Sequence, residues 1–301
     1  MKHMKHLVSL AAMVMSLMIA MVASVSAEAT GEVDFERGVI TVKAIGVANP
    51  RITIPSQARA MAKRAAITVA QRDLLETAQG VNLTSETTVR QAMIEDDVIK
   101  TTVNGVIKGA RVINEEYYPD GGCEVTMVLD LYGTSGSLAG AVMPKNYARE
   151  SFPAPAPSVA PSMPAYDASA SVSVRIDVTA SAGVTAAPNN NAIGGYTGVI
   201  VDCRGLGLEA AMSPVIKNDS GEKIYGHKNL DSDYVVSKGM AAYTRDLTSG
   251  IDRAGNNPLV VKAVSVDNRF NPVVSVADAN RILIENNATH FLEQTNVVFI
   301  R

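Results

Sequence analysis

GVITVKAIG at residues 38–46 and QARAMAKRAAITVAQRDLLETAQG at residues 57–80 carry two different hydrophobic periods on either side of one punctuated turn. In the first, Val39, Thr41, Lys43 and Ile45 alternate with Ile40, Val42 and Ala44, so a strand with two fairly apolar faces is expected. Asn49-Pro50 and Pro55 mark the turn. In the second, Ala58, Met61, Ala62, Ala65, Ala66, Val69, Ala70 and Leu74 recur at helical spacing, while Arg59, Lys63, Arg72 and Asp73 belong to the wet face. Ser56 is placed to cap this helix, and Gly80 to end it in a left-handed cap.

Working outward, residues 81–89 and 108–118 read as strands, with a short helical or irregular piece over 96–103. Asp120-Gly121-Gly122 signals a hairpin into a strand over 123–131, where Cys123, Val125, Met127 and Leu129 share one face. A long amphipathic helix lying across a small antiparallel sheet buries both apolar faces at once. The first domain therefore spans 28–132 and is α+β.

After Tyr132 the composition changes. Gly133, Ser135, Gly136 and Ser137 are followed by Pro144, Pro153, Pro155, Pro157, Pro161 and Pro164, then by Pro188, three asparagines and Gly194-Gly195. Such a stretch offers little apolar surface to offset its ordering entropy, so residues 133–195 are expected to form a Pro/Ala/Ser-rich spacer. Within it Val172, Val174, Ile176 and Val178 alternate with polar residues, and 171–179 is read as a strand joining a flanking sheet. The second domain, 196–301, reads as strands over 197–203, 259–266 and 297–300, a turn at Asp219-Ser220-Gly221, and a helix over 276–286 capped by Ser275. Two small α+β domains on a spacer are expected to fold as separate fragments.

The N-terminal run supplies the compartment. Lys2 and Lys5 precede an apolar stretch from Leu7 to Val25 that ends Val25-Ser26-Ala27, the pattern of a secretory signal peptide over 1–27. Cleavage after Ala29 is the alternative site, and retention as a membrane anchor the alternative fate. No Cys follows the run, so no thioether lipid anchor is expected. No stable transmembrane segment is expected after processing. The chain holds 27 basic and 30 acidic residues, and the leader removes two of the former and none of the latter. An acidic balance without a basic tract, and no Trp, argue against nucleic acid as a partner. Cys123 and Cys203 are free to pair in an oxidising compartment or to stay buried as thiols.

GVITVKAIG (38–46), QARAMAKRAA (57–66) running to LLETAQGV (74–81), VIKGARVI (106–113) and GGCEVTMV (121–128) resemble the N-terminal domain of flagellar assembly protein T and of related bacterial surface lipoproteins. The resemblance covers the first domain only. It implies a non-enzymatic module of the periplasm or outer-membrane periphery, which in the flagellar relative helps build a ring around the basal body. Partners are then expected among envelope proteins, flagellar basal-body components included, with a homo-oligomer also open.

The chain carries few chemical motifs. Gly205-Leu206-Gly207 follows a strand as a dinucleotide loop would, but Met212-Ser213-Pro214 interrupts the helix such a loop needs. Asp219, Glu222, Asp231 and Asp233 lack the spacing of a calcium loop and read as turn residues. His227 and His290, the only histidines beyond the leader, have no Cys or His at ligand spacing. No nucleophile elbow or phosphate loop occurs. No catalytic residue, cofactor or metal is expected. A scaffold acting by protein contact is the leading reading. The alternative is a small-ligand or cell-wall-glycan module whose site is formed by Gly205, Gly207, Tyr225 and His227, glycines letting a ligand approach the backbone.

Overall fold

A computed structural model describes residues 31–144, 147–155, 192–247 and 250–301. The expected leader and the proposed strand over 171–179 lie outside the described residues. Strand β1 (Gly31–Asp34) pairs antiparallel with β2 (Val39–Val47), where Ile40, Val42 and Ala44 face the core and Lys43, Ile45 and Val47 face out. Helix α1 (Pro55–Gln79) packs on β2, burying Ala62, Ala66, Ala70 and Leu74. Small side chains set this approach: a β-carbon at Gly46 would fall on the backbone of Ala62 and Ala66.

The helix starts two residues before Gln57, with Ile54 as an N-cap that makes no side-chain bond and Pro55 in its first turn. Proline has its φ preset for that place and no N–H to leave unpaired, so Ser56 is not the cap. Gly80 ends the helix in the right-handed region, φ −78°, not the left-handed one. The strand expected over 81–89 is a turn and the start of a helix. Thr84 Oγ1 accepts from the N–H groups of Glu86 and Thr87, and Thr88 Oγ1 accepts from Gln91 N at the start of α2 (Val89–Glu95). These threonines bond the local backbone in place of a ladder partner, leaving one isolated bridge, Asn82 to Thr88. Asp96 then caps α3 (Asp97–Lys108), a longer helix than the piece expected over 96–103.

Strands β3 (Arg111–Tyr117) and β4 (Gly122–Asp130) are joined by the expected turn, with Gly121 at φ +87°. The sheet order is β1-β2-β4-β3, antiparallel throughout, with β3 at one edge. The first lobe is thus the long helix on an antiparallel sheet.

The residues after Tyr132 correct the spacer at its near end. Ser137 accepts from Gly140 N and caps α4 (Leu138–Val142), whose Leu138 and Ala139 are fully buried. Gly133 N donates to Val236 O of the second lobe at 2.8 Å. The composition is polar and glycine-rich, but its few apolar side chains all turn inward.

In the second lobe β5 (Gly198–Asp202) is followed by β6 (Ile216–Asn218), β7 (Lys223–Tyr225), α5 (Ser232–Lys238), β8 (Ala242–Thr244) and β9 (Pro258–Lys262). Then come β10 (Ser265–Asp267), β11 (Asn271–Val274), α6 (Val276–Thr289) and β12 (Val297–Ile300). One sheet, β8-β12-β5-β9, is wholly parallel; the other, β10-β11-β6-β7, is mixed. The strand expected over 259–266 is two strands, β9 and β10, in different sheets. Ser275 caps α6 as expected, its Oγ accepting from Asp278 N at 3.0 Å.

The lobes share one hydrophobic core. Leu131 and Leu138 bury with Val236 and Tyr243, and Phe35 meets Tyr243 edge-on at 5.6 Å. Met212 N and Ser213 N donate to Asn82 O and Leu83 O, at 2.9 and 2.7 Å, across the seam. No described helix is long and apolar enough to cross a membrane.

Candidate functional site

The four nominated residues fall in two places. Gly205 and Gly207, at φ +77° and +71°, form an open turn at the C-terminal end of β5. Ligands of parallel sheets collect at such ends, but no helix follows this turn; the next is α5, some 25 residues on. Beside it Arg204 grips Asp202 through Nε and Nη2, at 2.9 and 2.6 Å, and that fork holds the Asp202 carboxyl below the usual range.

Tyr225 is fully buried on β7. Its hydroxyl donates to Met240 O at 2.6 Å, and its ring stacks on Phe152 at 6.4 Å. Burial pushes its phenol far up, so it remains a neutral donor in the core. His227, two residues on, is half-buried and meets Tyr147 edge-on at 5.7 Å. Burial, then Lys228 and Lys223, lower its pKa against an opposing pull from Glu150, so the ring is neutral at neutral pH.

Beside His227 lies a cavity of about 470 Å³, lined by neither glycine. Three parts of the chain wall it. The first is the turn Thr84–Glu86, fixed by the Thr84 hydroxyl and by the seam bonds to Met212 and Ser213. The second is a strap, residues 149–153. Arg149 Nε donates to Asn229 O, Glu150 N to Lys228 O, and Asn229 Nδ2 to Ser151 O, at 2.9, 2.8 and 3.1 Å. The third is the second lobe itself, with Ser213, Val215, Lys223 and His227. Lys228 pairs with Glu150 at 3.2 Å on the exposed rim. Lys223 and Glu86, one from each lobe, make no ion pair among the described residues and are exposed.

The acidic turn residues serve the backbone. Asp219 accepts from Val276 N at the start of α6, and Asp231 caps α5. Among the described residues no three His, Cys, Asp or Glu side chains converge as metal ligands would. His290 ends α6 in the left-handed region, φ +56°. Glu86, Lys223 and the strap went unnoticed in the sequence because their meeting depends on the seam between lobes, which no local pattern encodes.

The family described as Treponema pallidum Tp0624, second domain, matches residues 198–301, from the first residue of β5 to the end of the chain. The second lobe is similar to that Tp0624 domain. The match covers about a third of the chain. It includes the His227 wall of the cavity and excludes the Thr84–Glu86 turn and the strap, so the cavity is not a property of the Tp0624-like lobe alone. No curated protein matches the chain.

Proposed function

We propose that the protein is a non-enzymatic component of the bacterial cell envelope that works by protein contact, docking an extended segment of a partner on the β3 edge of the first lobe. The observation that carries this is β3 itself. It is the outer strand of its sheet and is exposed along all seven residues, with Ile113 58% exposed and Val112 and Tyr117 also open. An edge strand presents unpaired N–H and C=O groups that a partner strand can complete. Arg59 of α1 sits 5.9 Å over the Tyr117 ring, and β3 carries Arg111, Glu115 and Glu116, so the edge presents charges of both signs.

The same edge is guarded against indiscriminate pairing. A bulge at Ile113 breaks the register, and Glu115 forms an ion pair with Lys63 of α1. A partner has to match these features, which favours specific over general association. The leader read over 1–27 and the resemblance of the first lobe to flagellar assembly protein T support an envelope location; a place in a basal-body ring is the narrower form of the proposal.

The test is a photo-crosslinking residue at Ile113 in the living cell, with one at exposed Val264 of the second lobe as control. Adducts to a small set of envelope proteins from Ile113 alone would support the reading, and basal-body ring proteins among them its flagellar form. Equal labelling from both positions, or none from Ile113, would overturn it. A second reading, a module for a small ligand or wall glycan, has the cavity beside His227 in its favour.

A further inference from the structure

We infer that the cavity between the lobes binds a short peptide with free ends, its carboxylate received by Lys223 and its ammonium by Glu86. The inference deepens the small-ligand reading and is independent of contact at β3. A volume of about 470 Å³ lies within the range of small-molecule sites, roughly 300–1,000 Å³. Two of the three walls bring a charge that no other described side chain neutralises, Lys223 from the second lobe and Glu86 from the first, while Glu150 of the strap is paired with Lys228. Such a bipolar cleft is matched by a zwitterion, because one molecule then neutralises both groups. Between them Ser85 and Ser151 supply hydroxyls that donate or accept, and Val215 and Pro153 supply apolar surface for a side chain.

The lining discriminates against the other ligand classes. A sugar ring is usually held on an aromatic face, and no Tyr, Phe or Trp lines this cavity; Tyr225 and Phe152 stack on each other instead. A phosphate-rich ligand needs several converging cations or a helix N-terminus. Here Lys228 is engaged by Glu150 and His227 is neutral, leaving Lys223 alone. Both lobes contribute a charge, so the ligand also ties them together.

The experiment is calorimetric titration of the purified protein with trialanine, N-acetyl-trialanine, trialanine amide and chitobiose, with melting temperature as a second readout. Trialanine should bind and raise the melting temperature, and blocking either end should weaken binding at least tenfold. Glu86→Gln should bind trialanine no better than the native protein binds N-acetyl-trialanine, and Lys223→Gln should do the same for the amide. Both side chains are exposed, so neither variant should lose its fold. Equal affinity for free and blocked peptides would overturn the assignment of the two charges. Binding of chitobiose in place of trialanine would overturn the peptide while keeping the small-ligand reading. No heat and no shift with any probe at millimolar concentration would remove both, leaving the β3 proposal intact.

Discussion

The ring of Tyr132 occupies the space beside Gly239 where a side chain would stand: a β-carbon there would lie 2.6 Å from Tyr132 Cε1. Tyr132 is the last residue before the polar run of the first lobe, and Gly239 ends α5 in the second at φ +76° and ψ 172°. That backbone region is nearly exclusive to glycine. Arg253 completes the joint, donating through Nη1 to Lys238 O and through Nε to Thr295 O, each at 2.7 Å, and also to Gly239 O. Its fork thereby satisfies the carbonyls that a helix end leaves open.

Gly239→Ala should therefore cost more than an ordinary positive-φ substitution. Gly207→Ala, at φ +71° in open space, is the control and should lose about 1 kcal/mol from backbone strain alone. Gly239→Ala adds a clash with a partly buried ring packed on the core and should lose about 3 kcal/mol or more. Urea midpoints of the two variants measure the difference; equal losses would mean that Tyr132 does not seat the lobes.

A second anchor is the Glu285 carboxylate, buried on α6, which accepts from Ile193 N and Gly194 N at 2.9 Å each and pairs with Arg281 at 2.6 Å. Glu285→Gln removes the charge from a site built around it and leaves Arg281, whose side chain is 24% exposed, short of a partner. A loss of about 2 kcal/mol is expected, below the range for a fully buried pair because Arg281 reaches solvent. Hydrogen exchange at the Ile193 and Gly194 amides should quicken by more than the global stability change explains.

The strand Val39–Val47, the helix on it and the Asp120-Gly121-Gly122 hairpin were legible because each carries its signal locally: alternation, an alanine stripe, a turn dipeptide. The parallel pairing was not. Strands over 197–203, 259–266 and 297–300 were legible, but the three-residue β8 is too short to show a period, and the paired strands are drawn from positions up to about a hundred residues apart. The nominated Tyr225 was a reasonable candidate beside His227, yet it lies in the core, its hydroxyl spent on Met240 O, and no alternation on β7 signals this, since Ile224 is buried as well. The strap and Glu86 reach the cavity through tertiary bonds alone, and these have no sequence signature.

Buried acids set the alkaline limit. Burial raises the phenols of Tyr132, Tyr225 and Tyr243 well above their ordinary 10, and the Cys203 thiol from 9 to about 12. The unfolded chain releases these protons first. Their stabilisation is thus complete below about pH 9 and is lost as pH rises, at about 1.4 kcal/mol per pH unit for each group deprotonated only in the unfolded state. Urea midpoints should fall steeply above pH 9.5, and Cys203→Ala should remove the earliest part of that fall. Because Cys123 and Cys203 are both buried and free, a thiol reagent at pH 8 should label neither in the folded protein and both in urea.

A shared core and two domains on a spacer respond differently to a cut between residues 156 and 191. Residues 149–152 share a cleft with Asn286 and Asn287, and residues 193 and 194 are held by Glu285, so both stems of the segment 156–191 end beside the same stretch of α6. The passage between lobes is made earlier, through Tyr132 and buried α4. A specific protease site placed at 161–166 should therefore cut the backbone without parting the halves, which should elute together at the size of the intact protein and separate only in denaturant. Leu138→Asp puts a charge where a fully buried leucine joins the lobes, at a cost above about 3 kcal/mol. Cleaved protein carrying that change should come apart. Separation of the unmodified halves on cleavage would restore the spacer and show that the seam bonds of Met212 and Ser213 contribute little to holding them.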